Sequence, residues 1–107
     1  MATVYETAQK EIIPAVRLYI AKTLNEQYKM KQENIAGILG VAQAAVSKYL
    51  AGKYSEKIKK TENMLSKDIL NRYLPKIAEG KREYVNVCIC EMCQLLNSFK
   101  CSLNSTA

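Results

Sequence analysis

Apolar residues recur at three- and four-residue spacing along nearly the whole chain, and the alternation that marks a half-buried strand is scarce. Ile12, Val16, Tyr19, Ile20, Thr23, Leu24 and Tyr28 share one stripe of a long first helix. Pro14 lies inside that stripe. It either opens the main helix in its first turn or kinks a longer one, with residues 3–12 as a helical arm. A polar break, "KMKQEN", precedes a second pattern of Ile35, Ala36, Ile38 and Leu39, which Gly40 ends. A third pattern turns Ala45, Val46, Tyr49 and Leu50 inward, and Gly52 closes it. After the lysine-rich "KYSEKIKK", helical spacing resumes through Met64, Leu65, Ile69, Leu70, Tyr73 and Leu74 until Pro75 bends or ends the segment. "EGKRE" makes a turn at Gly80. A last segment from Tyr84 to about Phe99 then carries Val85, Val87, Ile89, Met92, Leu95, Leu96 and Phe99, before a frayed "SLNSTA". The pattern predicts an all-α protein of five to six helices.

Composition narrows the function classes. A chain of 107 residues with 49% hydrophobic content supports one compact core with at most one appended element. It contains no apolar run long enough to span a bilayer. "MATVYETAQKEIIP" places charges where a signal peptide needs an apolar stretch, so the expected compartment is the cytoplasm. A net charge of +6 favours a polyanionic partner. With no histidine, histidine catalysis and histidine metal ligation are excluded. No phosphate-binding glycine loop or nucleophile–base pattern is present either, so an enzyme is not expected.

The short pair of patterns in "QENIAGILGVAQAAVSKYLAGK", residues 32–53, has a physical reading. Two helices joined by a turn of about three or four residues containing glycine cross steeply, as in a helix-turn-helix unit. Ala36 is small where the second helix packs over it, Gly40 makes the turn, and Val41 and Val46 plug the junction. Ala42, Gln43, Ala44, Ser47 and Lys48 are left on the outer side of the second helix. A helix enters the DNA major groove when its outer side chains are short or reach flat base edges. Glutamine pairs with adenine, lysine donates to guanine, and alanine meets the thymine methyl. Gln32 opens the first helix of the pair, where it can donate to a phosphate. Lys53, Lys57, Lys59 and Lys60 follow the second helix as candidate phosphate contacts.

The same stretch resembles the lambda-repressor/Cro (XRE) family without a gap. The Gln opening the scaffold helix, the "IA" pair, the "LGV" turn, the Gln opening the recognition helix, the inward Val46 and the following "GK" stand where that family has them. "EIIPAVRLYIAKTLNEQY" and "QAAVSKYLAGK" together resemble a group of small archaeal transcriptional regulators over roughly half the chain. The resemblance implies a lambda-repressor-like DNA-binding domain. It makes Gln32 the phosphate-clamping glutamine, Gln43, Ala44, Ser47 and Lys48 base-reading positions, and Lys53 a backbone contact. Alanine at two of these positions throws direct readout onto Gln43 and Lys48, with DNA shape contributing to specificity.

All four cysteines, Cys88, Cys90, Cys93 and Cys101, cluster with spacing C-x-C-x2-C-x7-C. In a cytosolic chain this favours metal or redox chemistry over a disulfide framework. Without histidine the site must be thiolate-rich, which suits an iron-sulfur cluster first and an all-cysteine zinc site second. A straight helix would hold Cys90 and Cys101 about 16 Å apart along its axis. Four ligands from one chain therefore require a break near Cys88 or near residues 97–98, and a site shared by two protomers relaxes that demand. Cysteines packed as small hydrophobes and a thiol/disulfide switch are the other readings.

Together these features divide the chain into a DNA-binding domain, residues 1–80, and a cysteine-bearing dimerisation or cofactor segment, residues 81–107. The expected protein is a homodimeric regulator of double-stranded DNA whose readers sit about 34 Å apart, with DNA binding responsive to redox state or cluster occupancy. The other class consistent with the sequence is a helix-turn-helix adaptor that binds another protein, with zinc or a thiol switch in its tail.

Overall fold

The computed structural model describes residues 11–97 of the chain. Phe99, Cys101, the closing "SLNSTA" and most of the expected N-terminal arm lie outside the described residues. Among the described residues there are six α-helices and no strand, as the all-α expectation requires. They are α1 (Ile13–Glu26), α2 (Gln32–Leu39), α3 (Gln43–Leu50), α4 (Glu56–Met64), α5 (Lys67–Ala78) and α6 (Glu83–Asn97). No helix among them is long and apolar enough to cross a membrane.

α1 is the axis of the molecule and packs against every other helix. Its stripe was read as one-sided, but the helix is apolar almost all round. Val16, Ile20 and Leu24 are fully buried on the expected side, and Ala15, Leu18 and Ala21 are fully buried elsewhere on its circumference. A helix apolar on all faces belongs in the middle of a core, and its alanines admit neighbouring backbones closely. Pro14 occupies the first turn, where its missing N–H has no intrahelical partner to lose. Tyr28, expected at the end of the stripe, is 40% exposed because α1 stops at Glu26. The chain then reverses through Lys29, whose φ is 57°. Asn25 Nδ2 donates to the Met30 carbonyl at 3.1 Å, fixing this loop before α2 begins.

Two expectations on the middle of the chain need correction. The lysine-rich stretch is not a prelude to one helix from Met64; it already lies in α4, which ends at Met64, and α5 starts afresh at Lys67. Serine caps define both starts. Ser55 Oγ accepts from the Ile58 N–H at 3.3 Å, and Ser66 Oγ accepts from the Ile69 N–H at 3.5 Å. At the join Leu65 is extended and buried, leaving Met64 62% exposed. Nor does Pro75 end α5, which continues to Ala78. Continuing brings Ile77 into the core with full burial.

α6 completes the core rather than standing apart from it. Val85, Cys88, Met92 and Cys93 join the same apolar cluster as α1, α2, α3 and α5. Tyr73 on α5 stacks on Tyr84 with ring centroids 5.7 Å apart, and its hydroxyl donates to Glu91 Oε2 at 2.6 Å. On the outer side Leu95 is 51% exposed.

Candidate nucleic-acid interface

The α2–α3 pair is built around one carbonyl. Both the Gly40 N–H (2.8 Å) and the Val41 N–H (3.1 Å) donate to the Ala36 oxygen. The second of these bonds runs from residue i to residue i−5 and ends α2 tightly. It requires a left-handed residue at the cap, and Gly40 supplies it with φ 71°. Ala42 is extended and restarts the helix, with the Ala45 N–H donating to its carbonyl at 3.0 Å. α3 ends by the same device: Gly52 has φ 78°, and the Lys53 N–H donates to the Lys48 carbonyl at 2.9 Å. Two glycine-dependent ends thus set where α3 starts, how long it is and where Lys53 leaves it.

Within α3, Val46 is fully buried and anchors the helix against α1 and α2. Ala45, Tyr49 and Leu50 are half-buried beside it. The expected outer residues Ala42, Gln43, Ala44, Ser47 and Lys48 are all exposed, as is Lys53, whereas Gln32 is half-buried. Gln43, Ala44, Ser47 and Lys48 fall at i, i+1, i+4 and i+5, which is one side of a helix. That side carries no large apolar group, so nothing on it calls for cover by another part of the chain. Neither α2 nor α3 has a side-chain cap at its N-terminus, in contrast to α4 and α5.

α4 and the loop before it carry the next four lysines after α3. Between Lys48 and Lys60 the chain has five lysines and one acid, Glu56. Lys53, Lys57, Lys59 and Lys60 are exposed. Glu62, a residue the sequence pattern did not single out, holds this helix in place. It is 6% exposed, accepts from Lys22 Nζ at 3.2 Å, and its backbone oxygen accepts from Lys67 Nζ at 2.6 Å. Burial disfavours the Lys22 ammonium, but the hydrogen bond and charge of Glu62 outweigh it and hold its pKa above the ordinary lysine value. Lys67 is the reverse case: burial lowers it, and the Glu62 charge offsets only part. Lys67 also sits 5.0 Å above the Tyr19 ring.

Three of the four cysteines expected as ligands, Cys88, Cys90 and Cys93, lie among the described residues. α6 runs unbroken from Glu83 to Asn97, so there is no break near Cys88. Cys88 is fully buried on the face shared with Val85 and Met92, Cys93 is 5% exposed, and Cys90 is half-buried. Cys90 lines a shallow cleft of about 310 Å³ with Asn86, Val87, Glu91 and Gln94. Burial, with a smaller contribution from the Glu91 charge, pushes the Cys88 thiol up to about 12. Among the described residues no three His, Cys, Asp or Glu side chains come together as a metal centre. Cys101, the fourth expected ligand, lies outside them. Among the described residues the three α6 cysteines therefore do not converge on one metal centre within a single chain.

No protein-family model matches the chain, and no curated protein or solved structure is detectably similar to it.

Proposed function

We propose that this chain is a transcription regulator that binds double-stranded DNA through a lambda-repressor-like helix-turn-helix unit, with α3 in the major groove and two copies acting as a dimer. The observation that carries the reading is α3 itself. It is anchored by the fully buried Val46, while its opposite side presents only Gln43, Ala44, Ser47 and Lys48 to solvent. An outer side this small and polar fits into a major groove, where its side chains can reach base edges.

Under this reading Gln43 takes the N6 and N7 edge of adenine, Lys48 donates to guanine O6 or N7, and Ala44 meets a thymine methyl. Gln32 and Lys53 bracket the pair and take phosphates, and Lys57, Lys59 and Lys60 track the backbone beyond. Each copy carries one reader. A second copy related by two-fold symmetry sets the next reader about 34 Å away, one helical turn along the duplex. The outer side of α6, with Val87 half-buried and Leu95 exposed, is the surface offered to that copy.

The test is selection of bound sequences from a randomised duplex pool, followed by fluorescence-anisotropy titration of the selected site. Gln43→Ala and Lys48→Ala are expected to cost about 1–3 kcal/mol each at that site and to relax preference at one base pair apiece. Lys53→Ala is expected to weaken all duplexes alike. If the three variants bind every duplex as the parent does, the same face serves a protein partner instead, and the adaptor reading replaces this one.

A further inference from the structure

Arg82 stands at the corner between α5 and α6, yet it reaches the α2–α3 turn. A Cβ placed on Gly40 would lie 3.3 Å from Arg82 Nη2, so the guanidinium is seated directly beside the residue that makes that turn. Its backbone is held on both sides. Gly80, with φ 98°, turns the chain out of α5, and the Val85 N–H donates to the Arg82 carbonyl at 3.0 Å as α6 begins. The side chain nevertheless remains exposed. Two ion pairs form among the described residues, Lys22–Glu62 and Lys81–Glu79, and Arg82 is in neither. Of the two adjacent cations at this corner, Lys81 is paired with Glu79 at 3.6 Å, while Arg82 stands in no ion pair among the described residues.

We propose that Arg82 is a phosphate contact of the DNA interface. Its guanidinium would take the backbone phosphate flanking the base pair read by Gln43, three residues along the chain from Gly40. The chemistry suits the place: a guanidinium cannot lose its proton, and its fork of donors pairs two phosphate oxygens at once. Seating the group against a glycine removes the steric barrier that a side chain there would raise between the α5–α6 corner and the turn. The interface then draws on three parts of the chain, namely α2–α3, the lysines of α4, and the start of α6. The residue just before the cysteine-bearing helix is thereby seated beside the α2–α3 turn. This inference rests on the DNA reading above.

The experiment titrates the selected duplex and an unrelated duplex with the full chain, its Arg82→Gln and Arg82→Lys forms, and Gln43→Ala, over a range of salt concentrations. Arg82→Gln is expected to weaken both duplexes alike, roughly three- to tenfold, and to reduce the slope of log K against log salt by about 1. Arg82→Lys is expected to retain most of that slope because its charge still releases a counterion. A purely structural role would lower the melting temperature and leave the slope unchanged, which overturns the proposal. So does an Arg82→Gln form that binds as the parent does while Gln43→Ala loses affinity, and that outcome leaves the DNA reading standing. If the parent chain binds neither duplex, both fail together.

Discussion

Gly37 and Gly40 lie three residues apart, and the backbone asks opposite things of them. Gly37 is inside α2 with open space where a Cβ would stand. Gly37→Ala is therefore expected to stabilise the fold by about 0.5–1 kcal/mol, by removing the helix penalty of glycine. Gly40 is left-handed and faces Arg82, so Gly40→Ala is expected to cost about 1–2 kcal/mol. Urea denaturation of the two variants checks both signs. Cys88 makes a prediction in pH. Its thiol ionises near 9 when unfolded and near 12 when folded. Between those values the unfolded chain has lost a proton that the folded chain keeps, so stability falls as pH rises through that window. Cys88→Ala is expected to lose packing at neutral pH but to flatten this alkaline decline, measured as the urea midpoint against pH. Gly40, Val46 and the exposed set on α3 were all legible in the sequence, because a local turn and a helical period specify them. Glu62 and Arg82 were not. Their partners Lys22 and Gly40 are about forty residues away, and no local pattern encodes such a meeting.

At the scale of elements, the join between α4 and α5 shows what periodicity hides. Met64, Leu65 and Ile69 keep helical spacing across it, so the two helices read as one. The available signal was Ser66 with Asp68 in the first turn that follows, the pattern of a capped helix start. Ser66→Ala is expected to cost about 0.5–2 kcal/mol, read by thermal or urea unfolding, while leaving α3 and its outer face unchanged. Pro75 is the converse case: of the two outcomes expected there, a bend or an end, the helix does not end. A proline removes one hydrogen bond, but burying Ile77 beyond it favours continuing the helix. α6 was read from its apolar surplus as a surface for another copy. Much of that surplus is buried within the chain, because Val85, Cys88, Met92 and Cys93 close the core. On a continuous helix Cys88 points about 160° away from Cys90, and in the fold it packs with Val85 and Met92.

For the molecule as a whole, one central helix organises everything else. α1 fixes α2 and α3 through Val46 and its neighbours, and fixes the lysine-bearing α4 through Lys22 and Glu62. The result is a packed base under a short helix with small polar outer residues, followed by four lysines between residues 53 and 60. The central claim is that this surface binds duplex DNA, and salt dependence tests it most directly. The measurement is the affinity of the full chain for a duplex across a range of salt concentrations. With Lys53, Lys57, Lys59 and Lys60 on phosphates, log K is expected to fall linearly with log salt, with a slope of about −3.6 per copy or steeper. An affinity that stays flat across that range, or no binding to duplex even at the lowest salt, would contradict the account.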